Sequence, residues 1–317
     1  MHLVCGEALF DVFVSDDTCA SNNEVALKAI AGGSPFNVAI GMARLGARIG
    51  FGSDIARDAL GERLAAMLAE EGISDRFLRR GAPSTALAIV SSDHAGKPSY
   101  SFSGLEAAIY CPDEDARNSE EDAVTGVHIG SIAIVMPNSA RQLVELVRQF
   151  HERALISLDP NVRLSIEPDP ATWRRAIDEL RPWCHVIKVS EEDVAALYGA
   201  ADAEEICRSW LNDRTALVVL TKGAEGAMIM TATERVEIAP ADIIVVDSVG
   251  AGDSFMAAML SKLVDGGWCS SKVIAALGTP QLFEIGAYAA HAAGVTCSRR
   301  GPVLPTSRDL ESSARGS

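Results

Sequence analysis

The stretch Asp247-Ser248-Val249-Gly250-Ala251-Gly252-Asp253-Ser254-Phe255 sets two glycines and a carboxylate at the junction of two differently patterned segments. The preceding Ile243-Ile244-Val245-Val246 is β-branched and reads as an apolar strand, whereas Phe255-Met256-Ala257-Ala258-Met259-Leu260 has helical composition. N–H groups in a first helical turn lack internal partners and add to the helix dipole, so this turn can receive the negative charge of a migrating phosphoryl group. Gly250 and Gly252 allow the backbone to approach such a group, and Ala251 adds little bulk between them. Asp253 sits beside the same anion pocket, where it could take a proton from an attacking hydroxyl. The plain structural alternative is a helix start with an aspartate near its positive end.

A second constellation lies near the other end of the chain. In Gly32-Gly33-Ser34-Pro35-Phe36-Asn37-Val38-Ala39, adjacent glycines bring backbone amides close to a polyol, and Asn37 offers both a donor and acceptors. Asp11, closing Gly6-Glu7-Ala8-Leu9-Phe10-Asp11, is an acceptor for two neighbouring hydroxyls. Taken singly, these are a turn before a helix and a strand-end acid.

The nine residues around Asp253 resemble the C-terminal signature of the PfkB (ribokinase-like) family of carbohydrate kinases. Residues 32–39 resemble that family's sugar-binding signature, and residues 6–11 its opening strand. Ser157-Leu158-Asp159-Pro160-Asn161-Val162-Arg163 is similar to a segment of the fructokinase branch. Lys188-Val189-Ser190-Glu191-Glu192-Asp193, Thr221-Lys222-Gly223-Ala224-Glu225-Gly226 and Arg299-Arg300-Gly301 follow in the family's order. The resemblance implies one kinase domain over residues 1–317, an α/β fold whose Rossmann-type, mostly parallel sheet carries helices on both faces. A small β-sheet lid, about 12–30 and 85–108, would close over the sugar and supply a homodimer contact.

The implied reaction is transfer of the γ-phosphoryl group of ATP to a primary hydroxyl of a ketohexose, with fructose foremost. Asp253 is then the base, and Gly250, Ala251 and Gly252 form the anion hole. Asp11, Gly32, Gly33, Asn37 and Arg163 are the implied sugar contacts, and Lys188, Ser190, Thr221, Gly223 and Gly226 the nucleotide contacts. Asp193 would organise water around Mg2+, while Asp247 and the carbonyl of Val249 would hold a monovalent cation, K+.

Three positions leave alternatives open. Ser190 and Asp193 stand where the family has an Asn-x-x-Glu pair, and they serve equally as a helix N-cap with acids in the first turn. A surface salt bridge is the alternative for Arg163. Fructokinase relatives carry an arginine after a lid phenylalanine, whereas Phe102-Ser103-Gly104-Leu105 has none. That departure keeps 2-keto-3-deoxygluconate, an aldose or a nucleoside as competing substrates, and a non-catalytic sugar-binding regulator as a competing class.

The elements that must position these residues follow an alternating rhythm from residue 120 onward. Val127-His128-Ile129, Leu155-Ile156-Ser157-Leu158, Val186-Ile187-Lys188-Val189 and Leu217-Val218-Val219-Leu220 read as buried strands, separated by helical stretches such as 140–153 and 172–180. Ligands of such sheets gather at the carboxyl ends of strands, where Asp159, Ser190, Thr221 and Asp247 fall. The charge-dense stretch 113–122 reads as a solvated turn or helix start.

With 317 residues and 48% hydrophobic content, the chain can bury a large core. A formal charge of −15 argues against nucleic-acid and anionic-membrane partners, so ATP must be met locally. The chain contains no GxxxxGK[ST], no third glycine after Gly252, and no HExxH or GxSxG, which removes P-loop and dinucleotide signatures. Seven cysteines without CxxC spacing read as free thiols in a reducing compartment, and the six histidines are isolated from one another. No basic leader or membrane-length apolar run is evident, which makes the cytoplasm the expectation.

Overall fold

The computed structural model describes residues 1–14, 23–92, 98–105 and 123–314. In chain order its strands are β1 (His2–Cys5), β2 (Leu9–Val14), β3 (Leu27–Gly32), β4 (Ile49–Asp54), β5 (Leu78–Arg79), β6 (Ala86–Ser92) and β7 (Pro98–Ser103). They continue with β8 (Gly126–Gly130), β9 (Leu155–Asp159), β10 (Val186–Ser190), β11 (Leu217–Thr221), β12 (Ala227–Met230) and β13 (Arg235–Ile238). Nine of them form one sheet in the order β13-β12-β11-β10-β9-β8-β1-β4-β5, parallel from β11 to β5, with β12 and β13 antiparallel at one edge.

The apolar runs of the central strands follow from burial on both faces. Along β11, Leu217 and Val219 join one core cluster, and Val218 and Leu220 join the other, as a side-chain period of two requires. The first cluster is covered by the helices Ser34–Arg44, Ala251–Asp265 and Thr279–Cys297. The opposite one is covered by Pro137–Phe150, Pro170–Leu180, Glu191–Tyr198 and Ala203–Trp210, with Trp173 fully buried. Both halves of the chain therefore share one central sheet.

The remaining four strands form a separate sheet in the order β3-β2-β6-β7. Its first two strands, Leu9–Val14 and Leu27–Gly32, overlap the segment of about 12–30 expected to form a lid. Ile30, Asp11, Ala88 and Phe102 pair in one row across this sheet and share a face. Residues 15–22, 93–97 and 106–108 of the expected lid, and the acidic stretch 113–122, lie outside the described residues.

Residues 243–246 correct one expectation: they are not a strand. Past β13 and Pro240 the chain runs along the helix Thr279–Cys297, and Val246 and Asp247 both donate their N–H to the Cys297 carbonyl, at 2.8 and 3.1 Å. A carbonyl at a helix C-terminus has no intrahelical partner and takes over the pairing a sheet neighbour would have given. The β-branched side chains are left outside the core, with Ile244 at 86% exposure.

Among the described residues no helix is long and apolar enough to cross a membrane. Cys5, Cys184, Cys207, Cys269 and Cys297 are free thiols.

Candidate active site

The turn before the helix Ala251–Asp265 depends on Gly250, which adopts φ +81°, and a Cβ there would lie 2.9 Å from Cβ of Pro302. No side chain caps this helix; Ala251 N–H donates to the Ser248 carbonyl at 3.2 Å, which leaves the N–H groups of Gly252 and Asp253 to face an anion. Gly252 is different: a Cβ on it would meet only Lys188 Nζ, at 3.6 Å. Packing does not require glycine there, whereas the space it leaves lies between the helix mouth and an ammonium group.

Asp253, at the third position of the same helix, is held by the opposite end of the chain. Ser34 Oγ donates to its Oδ1 at 2.6 Å, and Asn37 Nδ2 donates to its Oδ2 at 2.7 Å. Burial raises the Asp253 pKa above the ordinary carboxylate range, and the two donors pull against that rise. The helix Ser34–Arg44 is delivered by Gly33, where φ is +105° and a Cβ would press 2.6 Å from the Glu7 carbonyl oxygen; Pro35 sits in its first turn.

Asp11 faces the same space, with its Oδ2 2.6 Å from where a Cβ on Gly32 would stand. Burial pushes its pKa up to about 6, with Arg163 favouring the charged form and Asp253 opposing it. The Arg163 side chain is exposed, and its Nη1 donates to the Val162 carbonyl at 3.0 Å. Asp11 and Gly32 of the small sheet thus come together with Gly33, Asn37 and Asp253, and the Arg163 charge acts on Asp11.

The carboxyl ends of neighbouring strands complete the site. Lys188 Nζ pairs with Asp159 Oδ2 at 2.8 Å, and both side chains are buried. Burial works against the ammonium charge, but the Asp159 carboxylate, joined by Asp193 and Asp253, raises the Lys188 pKa overall. Ser190 and Thr221 are register partners on β10 and β11. Ser190 and Asp193 form a reciprocal capping box, and Asp193 Oδ1 also accepts from Val162 N–H at 2.8 Å. The helix-cap alternative is therefore realised at this pair.

Beyond Thr221, Lys222 N–H donates to the Gly226 carbonyl at 2.8 Å, closing a short turn over Gly223. Asp247 lies on the other flank of the anion turn, accepting from Val249 N–H at 3.1 Å and Gly301 N–H at 2.9 Å. Those two bonds hold its pKa below the usual value. Val249 is 46% exposed.

Ser34 escaped sequence reasoning, and Asp159 was placed at a strand's carboxyl end without its partner Lys188. Both stood inside quoted segments, but nothing local marks a serine as partner to a carboxylate 219 positions away.

A carboxylate held at an uncapped helix mouth, beneath a small sheet that presents hydroxyl acceptors, defines a phosphotransferase acting on small polyols. The chain belongs to the pfkB family of carbohydrate kinases, whose model matches residues 2–308. It is 31% identical over 263 residues to a fructokinase of Rhizobium leguminosarum bv. trifolii, covering 83% of this chain and 79% of the relative. Fructokinase-2 of Solanum habrochaites is 30% identical over 322 residues, covering 98% of this chain and 95% of the relative. Among solved structures, the fructokinase of Xylella fastidiosa with bound ATP superposes with a TM-score of 0.85 at 25% identity, covering 99% of this chain and 98% of that one.

Proposed function

We propose that the protein is an ATP-dependent fructokinase that phosphorylates a primary hydroxyl of the sugar. The observation that carries this reading is the seating of Asp253 at the helix mouth by Ser34 and Asn37 from the sugar-binding signature. One carboxylate then touches both the anion turn and the acceptor pocket. Asp253 takes the proton of the attacking hydroxyl, while the N–H groups of Gly252 and Asp253 receive the charge of the phosphoryl group in flight. Asp11, the Gly32-Gly33 turn and Asn37 orient the sugar, and Arg163 meets it from the facing loop.

A cleft of about 650 Å3 between residues 238–243 and the Thr279–Cys297 helix suits the adenine, with Phe283, Ala287 and Ala290 among its lining residues. Thr221, Gly223, Gly226 and Ser190 would carry the ribose and phosphates, and Lys188 would add positive charge behind Gly252. A divalent cation on ATP, magnesium in this reading, neutralises phosphate charge. The hard oxygens of Asp159 and Asp193 fit its water shell, Asp159 Oδ1 being buried without a hydrogen-bond partner. Asp247 and the Val249 carbonyl suit a potassium ion. We place the enzyme in the cytoplasm, where ATP is available, and pair two copies through the lid, whose Val14, Val25 and Leu27 expose apolar surface.

One observation keeps a competing acceptor in view. Phe102, Gly104, Leu105, Met136 and Ile166 line a cleft of about 480 Å3, and Phe102 shares its lid row with Asp11. An apolar group attached to the sugar, as in a nucleoside, would find contacts there. The deciding experiment is an ADP-release assay against fructose, aldoses, 2-keto-3-deoxygluconate and nucleosides. Fructose is expected to give the highest kcat/KM, and a nucleoside or keto-deoxy acid exceeding it would overturn the acceptor while sparing the kinase.

A further inference from the structure

Gly41 stands inside the helix Ser34–Arg44, at a position where alanine is the better helix former. Its backbone is helical, so no left-handed turn calls for a glycine there. Packing does. A Cβ on Gly41 would stand 2.7 Å from Cβ of Ala257, in the helix Ala251–Asp265, and 2.8 Å from Cδ2 of Leu304. Apolar carbons in contact keep about 3.5–4.0 Å apart, so the missing methyl lets the two helices cross about 1 Å closer than an alanine would allow.

The crossing lies one turn beyond the bonds that hold Asp253. Ser34, Asn37 and Gly41 follow one another at helical spacing, as do Asp253 and Ala257, so each set forms a stripe along its own helix. The two stripes face each other. Ser34 and Asn37 bond Asp253 at 2.6 and 2.7 Å, and about 6 Å further along both helices Gly41 meets Ala257. Gly41, Ala257 and Leu304 are all buried. The Ala257 methyl is fixed to its helix, and Leu304 closes the other side, its carbonyl accepting from Arg44 Nη1 at 2.8 Å while Arg44 Nε donates to Glu71 at 2.7 Å. Volume added at Gly41 therefore finds its outlet in the separation of the two helices.

We propose that Gly41 and Ala257 are positioning residues of the phosphotransfer reaction: their close contact sets the spacing between the helix that carries Ser34 and Asn37 and the helix that carries Asp253, and so keeps both donors within bonding distance of the carboxylate. This rests on the reading of Asp253 as the base. Hydrogen bonds of this kind end at about 3.0–3.2 Å. Spreading the crossing by about 1 Å carries bonds of 2.6 and 2.7 Å past that limit. The residues at the crossing act through the two donors, one turn deeper than the carboxylate they serve.

The test is Gly41→Ala, with the volume-conserving swap Gly41→Ala/Ala257→Gly as its rescue. In Gly41→Ala, kcat with the parent's best acceptor is expected to fall about tenfold to a hundredfold, with ATP KM within about threefold of the parent. Loss of the donors favours the protonated carboxyl, so the acid limb of kcat should move to higher pH. The swap should restore both. A merely structural role would lower the melting temperature and leave the acid limb in place. A folded Gly41→Ala with the parent's kcat and acid limb would overturn the proposal, as would a loss of kcat that the swap does not repair. If Gly41→Ala alone does not fold, the swap decides: the parent's kcat and acid limb are expected, and a folded swap still about tenfold slower overturns the proposal. Near-normal turnover in Asp253→Asn would displace the base and leave the crossing to be judged by a crystal structure of Gly41→Ala. Both bonds to Asp253 are expected there beyond about 3.2 Å, and bonds of unchanged length overturn the proposal.

Discussion

Asn37 Nδ2 donates to Asp253 Oδ2 at 2.7 Å, joining residues 216 positions apart and tying the glycine-rich signature near the N-terminus to the anion turn near the C-terminus. The bond gives Asn37 two tasks. Its amide nitrogen orients Asp253, the proposed base, and its carbonyl oxygen is left for other partners. Removing it should therefore affect proton transfer as well as sugar binding. Donors to a carboxylate stabilise its charged form, so Asn37→Ala should raise the Asp253 pKa further. Activity requires the ionised base, and the acid limb of kcat should shift to higher pH in this variant. A pH–rate profile checks it, and an unmoved limb would separate Asn37 from the base.

Replacing the base itself makes a sharper demand. Asp253→Asn keeps both Ser34 and Asn37 near a side chain of the same shape while abolishing proton uptake. Turnover should fall by about 10²-fold or more, with ATP and sugar affinities within a few-fold. Pre-steady-state phosphoryl transfer together with calorimetry of each ligand measures both. Near-normal turnover would remove Asp253 from its role.

Gly252 has room for a side chain on the protein's own account, since only Lys188 Nζ stands within reach, at 3.6 Å. Gly252→Val should consequently fold, bind sugar, and fail to transfer phosphate, because the branched side chain fills the space between the helix mouth and Lys188. Sugar calorimetry beside an activity assay decides it. Transfer at the parent rate would place the anion hole elsewhere.

Asp11 lies on β2 of the small sheet, and the proposed function gives it a sugar hydroxyl to hold. Loss of a buried hydroxyl's partner costs roughly 1–3 kcal/mol, so Asp11→Ala should weaken sugar use about tenfold to a hundredfold while ATP affinity stays near normal. Parallel KM values for the two substrates test this. Equal losses for both would point to collapse of the lid instead.

Stability should respond to acid in two stages. Burial lowers the pKa of His2 to about 3, His128 to about 3 and His185 to about 4, so below the unfolded value near 6.5 the unfolded chain binds these protons first and stability falls. Glu7 and Asp11 work oppositely: with folded values raised to about 7 and about 6, they take up protons first in the folded state and add stability as pH drops towards their unfolded values. The two trends offset each other from about pH 6.5 to about 4, and below that only the histidine loss continues, joined by acids such as Asp309 whose folded pKa is lowered to about 2. Urea unfolding across pH should show a shallow slope followed by a steep one. A uniform steep decline from pH 6.5 would mean that the buried acids are not protonated in the fold.

The sequence by itself carried the central sheet and the glycine turn before the helix Ala251–Asp265. Gly250-Ala251-Gly252-Asp253 announces a tight turn into a helix because helix starts and glycine spacing are local properties, set within a few residues. The strands β8 to β11 were legible for a similar reason, since burial on both faces leaves continuous apolar runs. Residues 243–246 show the limit of that reasoning: their β-branched pattern was right for an extended chain, but whether an extended chain pairs with a sheet or with a helix end depends on what lies beside it. Only the tertiary structure decided that Ser34 and Asn37 hold Asp253, that Asp159 pairs with Lys188, and that Asp193 accepts from Ser190 and Val162. It alone buried Glu7 beneath the Gly33 turn. Charge, hydrogen bonding and desolvation act through space over a few ångströms, and the partners in these contacts are brought that close by the packing of strands and helices, not by their spacing along the chain.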